Sequence, residues 1–167
     1  MKSRIVLRAP VPGDQLEFVR AARASRALHG AWVHAPDTAR AFRIYVRRAA
    51  APGSHAFLVC RRDSGAIVGA INISNVVMGL FRSAYLGYFA FAGHERQGLM
   101  REGLQAVVRH AFKTLKLHRL EANIQPGNAR SIALVKACGF RKEGYSPRYL
   151  KIAGRWRDHE RWAIVAS

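Results

Sequence analysis

The sequence predicts an α/β (α+β) protein built as a mixed sheet covered by helices, and three observations predict it. Hydrophobic residues make up 50% of the 167 residues and charged residues 23%, the composition of a globular chain and not of a disordered one. The apolar pattern changes period along the chain in the order strand, two helices, three strands, helix, strand, helix, two strands. Between the central strand and the helix after it lies a short turn bearing Gly93 and Gly98. A sheet layered with helices is one of few arrangements that bury such a pattern. At this length the expectation is one domain, residues 1–167.

In order, residues 4–9 alternate as a first strand, which Pro10, Pro12 and Gly13 end. Asp14 caps a helix carrying Leu16, Phe18, Val19, Ala22 and Ala27, fading at His29 and Gly30. A second helix begins near Asp37 and Thr38, carries Ala41, Phe42, Tyr45 and Val46, and stops at Pro52 and Gly53. Residues 55–60 and 66–73 read as strands joined by the turn Asp63-Ser64-Gly65. A loop over 78–83 leads to the central strand, 85–91. From Gln97 the apolar positions Leu99, Leu104, Val107, Val108, Ala111, Phe112 and Leu115 have the spacing of a helix with one buried face. A strand at 119–124, a short helix from Asn128 to Gly139 and a hairpin over 140–152 and 156–165 complete the chain.

The join between central strand and helix points free backbone N–H groups outward, with the positive end of the helix dipole behind them. Gly98 lets a diphosphate approach without a Cβ in the way. Such a turn occurs in many helices that bind nothing, so the motifs around it carry the weight.

Charge is the unusual quantity. Lys and Arg number 28 against 10 Asp and Glu, a formal charge of +18 and a pI near 11.4. That field attracts nucleic acid or a ligand with several phosphates; a solvated basic surface gives the same count. In the last hairpin, strand alternation sets Arg155, Arg157, His159 and Arg161 on one face, a basic ribbon for an anionic partner such as ribosomal RNA. No apolar run approaches the roughly 18 residues of a spanning helix, and the apolar part of the N-terminus is too short for a signal peptide. A cytoplasmic protein with no membrane contact is expected. Cys60 and Cys138 read as small core residues, and the seven histidines have no metal-site spacing.

Several motifs then occur in order: Tyr85 to Phe91, the turn His94-Glu95-Arg96-Gln97-Gly98-Leu99-Met100, His118-Arg119-Leu120-Glu121-Ala122, Asn128-x-x-Ser131-x-x-Leu134-x-x-x-Cys138-Gly139-Phe140, Glu143-Gly144-Tyr145 and Gly154-Arg155-Trp156-Arg157-Asp158-His159. Together they resemble the GNAT acyltransferase superfamily, and within it the RimJ/RimL group of ribosomal-protein alanine N-acetyltransferases. The resemblance implies a mixed, mostly antiparallel sheet of about seven strands with a splayed central pair, flanked by about four helices. It implies acetyl-CoA as cosubstrate, its pantetheine arm on the backbone of Phe89, Ala90 and Phe91. The diphosphate is then expected on the turn formed by Arg96, Gln97, Gly98, Leu99, Met100 and Arg101, with Asn128 and Ser131 also on the cofactor.

The sequence departs from the superfamily pattern at three places. Glu95 stands where Gln or Arg is usual, a carboxylate opposing a diphosphate, with Arg96 and Arg101 beside it to compensate. Met100 stands where Gly or Ala is usual. Val135 occupies the position of a tyrosine that protonates the departing thiolate, and Ser131 is the substitute acid, or only part of a helix cap. Glu121 is the expected general base through a water, with Asn123 two residues on; its alternative is an ion pair with an arginine. Trp32, His34, Phe42 and Tyr45 either line the acceptor cleft or pack on the sheet.

The acceptor expected is a primary amine, the N-terminal α-amine of a ribosomal or other protein, whose pKa of roughly 7.7 to 8.0 leaves part of it neutral near pH 7. The alternatives are a small amine (antibiotic, polyamine or amino acid), or a module that binds acyl-CoA or RNA without turnover. Either a monomer or a dimer fits.

Overall fold

The structure, a computed structural model, describes residues 3–167. Its elements are β1 (Ile5–Arg8), a 3-10 turn (Pro12–Asp14), α1 (Gln15–Ala24), α2 (Arg26–His29), α3 (Ala39–Ala49), β2 (His55–Arg61), β3 (Ile67–Val77), β4 (Ser83–Ala90), α4 (Leu99–Lys113), β5 (Arg119–Ile124), α5 (Ala129–Ala137), β6 (Arg141–Ile152) and β7 (Arg155–Val165). All seven strands join one sheet in the order β1-β2-β3-β4-β5-β7-β6. Every neighbouring pair is antiparallel except β4 with β5.

Strand parity assigns the two faces. Ile71, Leu86, Leu120, Ala122 and Ile124 lie in one core cluster with Leu104, Val107 and Ala111 of α4 and Val135 of α5. Leu58, Ala70, Phe89 and Phe91 lie in a second cluster with Phe18, Val19 and Ala22 of α1 and Phe42 of α3. Phe18 is its hub, its ring 4.8 Å from Phe42 and 5.1 Å from Phe91; burying each such ring is worth about 1.5–3 kcal/mol.

The helix ends follow local chemistry. Thr38 caps α3 by accepting the Ala41 N–H at 3.1 Å. Gly139, at φ 92°, ends α5 in a left-handed conformation suited to glycine. The helix expected across 14–30 is divided at Ser25, whose hydroxyl donates to the Ala21 carbonyl at 2.6 Å and accepts the Ala92 N–H at 2.8 Å. Thus α1 gives way to α2 where a side chain ties the helix to the end of β4. β3 runs four residues past the expected strand end at Ile73, to Val77, just short of the expected loop, with a register shift between Ser74 and Val77 and Asn75 at φ 51°.

The expected basic ribbon on the last hairpin does not form. Arg155 and Arg161 are exposed, but His159 is buried and Arg157 half-buried. The His159 ring packs edge-on to Tyr149, 6.3 Å away, where β6 carries extra residues between Ser146 and Leu150. The exposed positive charge with regular spacing is on α3, where Arg40, Arg43 and Arg47 share one side and form no ion pair with a described residue.

Candidate active site

β4 and β5 pair at three positions only: Ser83 with Arg119, Ala84 with Leu120 and Tyr85 with Glu121. Beyond these, β4 stays on β3 as far as Ala90, and β5 stays on β7 as far as Ile124. The sheet therefore opens in its middle, and each strand turns an unpaired edge into the gap. Phe91 N–H donates to the Val68 carbonyl at 2.7 Å. Because backbone direction alternates along an antiparallel pair, Phe89 and Phe91 turn their polar groups to β3, and Tyr88 and Ala90 turn theirs to the gap. Of the three residues expected to hold a pantetheine arm, only Ala90 turns its backbone groups to the gap; Phe89 and Phe91 do not, and Tyr88, outside that set, does. The Ala90 carbonyl already accepts His29 Nε2–H at 2.7 Å, so α2 anchors this edge on one side.

On the α4 side of the gap, Gly98 is the N-cap of α4 at φ 75°, and Arg96 precedes it at φ 59°. The helix starts at Leu99, two residues later than the spacing predicts, because this left-handed pair closes the turn first. A Cβ at Gly98 would meet only the tip of Arg4, Nη2 at 3.3 Å. Gln97 is tied into the turn: its Nε2–H donates to the Gly93 carbonyl at 3.1 Å and its Oε1 accepts from Arg61 at 3.0 Å. Glu95 folds back on the turn, accepting the Gly93 N–H at 2.7 Å. Its own backbone N–H, then that of Gly93, and the charge of Arg130 hold its carboxyl below the usual range. It occupies N–H groups upstream of Gly98, leaving those that open α4. Arg96 and Arg101 are exposed and in no ion pair with a described residue, Leu99 is buried and Met100 half-buried.

Asn128 and Ser131 come together at the start of α5, where Asn128 Oδ1 accepts the Ser131 N–H at 3.2 Å. Sequence reasoning missed the third member. Tyr88 reaches across from β4, its hydroxyl 2.6 Å from Ser131 Oγ and 3.0 Å from the Ser131 carbonyl. Burial pushes the Tyr88 phenol well above its ordinary range, against the opposing pull of Ser131, so it keeps its proton. When that proton goes to Ser131 Oγ, the serine's own proton is free for another acceptor. The parity of β4 was the available signal, since even positions face α4 and α5. Val135 is fully buried in the α4–α5 core.

Across the sheet, Glu121 and Asn123 point to the α1–α3 side by strand parity. Glu121 Oε1 accepts Arg119 Nε–H at 2.7 Å, and Arg119 also binds both carboxylate oxygens of Glu143. The second oxygen of Glu121 has no hydrogen bond to a described residue. The phenol of Tyr85 is raised first by its neighbour Tyr149, then by burial, with Glu121 a smaller contribution. Asn123 lies two residues past the last β4–β5 pair, and its Oδ1 is buried without a partner.

At the open end of the gap is a cavity of about 280 Å³ lined by Trp32, Gln125, Gly127, Trp156, Arg157 and Asp158, among others. A Cβ on Gly127 would sit 3.0 Å from the Trp32 ring, so glycine lets the indole lie close to the loop after β5. Of the four aromatic or imidazole residues weighed for the cleft, Trp32 lines this cavity and is 38% exposed. Phe42 is fully buried and Tyr45 donates its hydroxyl to Asn72 at 2.8 Å, so these two pack on the sheet; His34 is exposed.

A gap open to both faces, with a phosphate-type turn on one and polar side chains on the other, can hold an extended thioester and bring an amine to it. Known proteins of this shape match. A [ribosomal protein uS5]-alanine N-acetyltransferase of Escherichia coli K12 is 46% identical over 103 residues, 62% of this chain and 53% of that one. The chain thus spans about half the length of that relative. A spermidine N(1)-acetyltransferase of Vibrio cholerae is 25% identical over 169 residues, covering 100% of this chain and 96% of its own. The structure of Mycobacterium smegmatis RimJ in complex with CoA-disulfide superposes with a TM-score of 0.88 at 29% identity, over 97% of this chain and 82% of that one. The acetyltransferase (GNAT) domain model matches residues 4–141. With that match over most of its length, the chain belongs to the GNAT acetyltransferase family.

Proposed function

We propose that this protein transfers the acetyl group of acetyl-CoA to the N-terminal α-amine of a protein, a ribosomal protein being the class that the uS5-alanine relative suggests. The observation that carries the reading is the gap between β4 and β5, with free backbone on its edges, the Gly98 turn on one face and Glu121 with Asn123 on the other. The residues present fit acetyl-CoA. The backbone of Tyr88 and the N–H of Ala90 offer ladder groups to a pantetheine amide, Asn128 has its amide N–H groups to spare, and the N–H groups opening α4 suit a diphosphate. When bound, acetyl-CoA supplies an acyl carbon activated as a thioester.

The chain's own groups have three tasks. Asn123 and the walls of the gap orient the amine, whose neutral fraction near pH 7 needs only a weak base. Glu121 takes the amine proton through a water at its free oxygen, while Arg119 and Glu143 fix the carboxylate's position. Ser131 gives its proton to the departing sulfur and Tyr88 keeps the serine turned for it. The arginines of α3 suit the RNA around a ribosomal acceptor.

A small-amine reading is favoured by the full-length match to the spermidine enzyme. Against it, Asp158 is already engaged by Tyr145 and the Arg148 N–H and one oxygen of Glu121 by Arg119, which leaves a single free carboxylate oxygen for a polyamine's several ammonium groups, and a net charge of +18 repels a polycation. Release of free CoA thiol, measured with peptides bearing free or blocked N-termini and with polyamines, tests the proposal. Turnover of free-N-terminus peptides alone supports it; turnover confined to polyamines overturns it.

A further inference from the structure

Among the described residues, two buried side-chain polar atoms have no hydrogen-bond partner: Asn123 Oδ1 and Arg157 Nε. A buried polar group left unmatched costs about 1–3 kcal/mol, so each marks a place where an absent partner is expected. They are of opposite kind, an acceptor and a donor. They also lie on the same side of the sheet. Asn123 pairs with Arg161 across β5 and β7, and Arg157, four residues before Arg161, shares its parity. Along a strand four residues span roughly 13 Å, so the two atoms belong to one line running from the mouth of the gap to the cavity. At the cavity end the lining residues are Trp32, Trp156, the Gln125–Gly127 loop and Arg157 itself. Gln125 Nε2–H donates to the Ala31 carbonyl at 3.4 Å, joining that loop to the segment bearing Trp32.

We propose that this line is the binding track for the acceptor polypeptide. Asn123 accepts an N–H of the reactive amine, and Arg157 Nε–H donates to a backbone carbonyl a few residues further along, while Trp32 and Trp156 enclose the chain between them. The assignment rests on the acetyltransferase reading above and deepens it, because it selects an extended peptide over a polyamine. A polyamine carries no carbonyl for Arg157, and the one carboxylate lining the cavity, Asp158, is already bound by Tyr145 and the Arg148 N–H. Asn123 acts at the nitrogen that every acceptor shares; Arg157 and Trp32 act only on the peptide residues beyond that nitrogen.

That division sets the test. Steady-state kinetics are measured with acetyl-CoA and two acceptors, a short peptide with N-terminal alanine and a blocked C-terminus, and 2-phenylethylamine, which has no backbone carbonyl. Arg157→Met and, separately, Trp32→Ala should each lower kcat/KM for the peptide roughly tenfold or more, through KM, and leave the small amine within twofold. Asn123→Ala should lower kcat for both acceptors. Arg157→Lys, which keeps the charge but displaces the donor, should not restore the peptide. If the wild type ignores phenylethylamine, the peptide's KM rising with kcat retained is the deciding readout. Thermal melting with and without acetyl-CoA verifies that each variant is folded. Peptide acetylation by the wild type, with Arg157→Met and Trp32→Ala both unchanged or with Arg157→Lys fully active, overturns this track alone. Failure of the wild type to acetylate any peptide overturns both the track and the reading beneath it.

Discussion

Replacing Gly98 by alanine separates backbone strain from ligand binding, provided that Gly65 is replaced in parallel. Both glycines are left-handed, at φ 75° and φ 77°. An added Cβ meets nothing within 4 Å at Gly65 and only the far end of the Arg4 side chain, at 3.3 Å, at Gly98. Each substitution should therefore cost the same ~1–2 kcal/mol of left-handed strain. For a chain of this size that lowers the melting temperature by ~2–8 °C. Only Gly98 lies where a diphosphate would approach the start of α4. A methyl group there should weaken acetyl-CoA at least tenfold, about 1.4 kcal/mol. At a cofactor concentration of about a hundred times the wild-type Kd, the bound state gains ~2.7 kcal/mol. Losing about half of that should cut the acetyl-CoA-induced rise in melting temperature by ~3–6 °C. Titration calorimetry and melting curves on the wild type and the two variants supply every quantity. Equal acetyl-CoA affinity in Gly98→Ala and Gly65→Ala would refute the placement of the diphosphate.

Glu121→Gln should lower kcat by ~10²–10⁴ with acetyl-CoA affinity kept, and regain part of the loss above the amine's pKa of about 8; unchanged turnover at neutral pH removes Glu121 as base. Ser131→Ala should lower kcat without that recovery, and Tyr88→Phe should lower it roughly 2- to 10-fold, the worth of one neutral hydrogen bond; a Tyr88→Phe rate equal to wild type, with Ser131→Ala impaired, detaches Tyr88 from the proton path. Asp14 predicts an acid limb of stability: burial works to raise its carboxyl, but the paired bonds from Arg8 and the Val11 N–H outweigh it and leave it lowered. A lowered folded value means that the stabilisation is complete above the unfolded value near 3.9 and is lost as pH falls through the folded one, so denaturant titrations at decreasing pH should show a loss that Asp14→Asn lacks. Replacing Arg40, Arg43 and Arg47 together by serine should weaken RNA binding and flatten its dependence on salt; an unchanged salt slope places the contact elsewhere.

The order of elements was legible because apolar period and glycine or proline punctuation are local. Leu99, Leu104, Val107, Val108 and Ala111 announced α4, and Phe18 and Phe42 announced helices against a sheet; that Phe42 and Tyr45 pack there instead of lining the cleft was left open by spacing alone. What the sequence did not show depends on contacts between distant segments. Ser25 divides the first helix because Ala92 needs a partner, and His29 reaches the Ala90 carbonyl from 61 residues away. Tyr88 looked like one more aromatic in a buried strand until α5 brought Ser131 to its hydroxyl. The hairpin's alternation suggested a basic face, but alternation cannot tell which face is covered, and His159 is under Tyr149. At Glu121 the ion pair weighed from the sequence is present, one oxygen being held by Arg119, while the other has no hydrogen bond to a described residue.

The central claim, acetyl transfer from CoA to a peptide N-terminus within the β4–β5 gap, is tested most directly by tandem mass spectrometry of an alanine-initiated peptide that also contains lysine. The peptide is incubated with acetyl-CoA and either the wild type or Glu121→Gln. The expected result is one acetyl group on the α-amine, none on the lysine, and a strongly reduced rate with the variant. Modification of lysine alone, or binding of acetyl-CoA with no acetyl group transferred to the peptide, would contradict it.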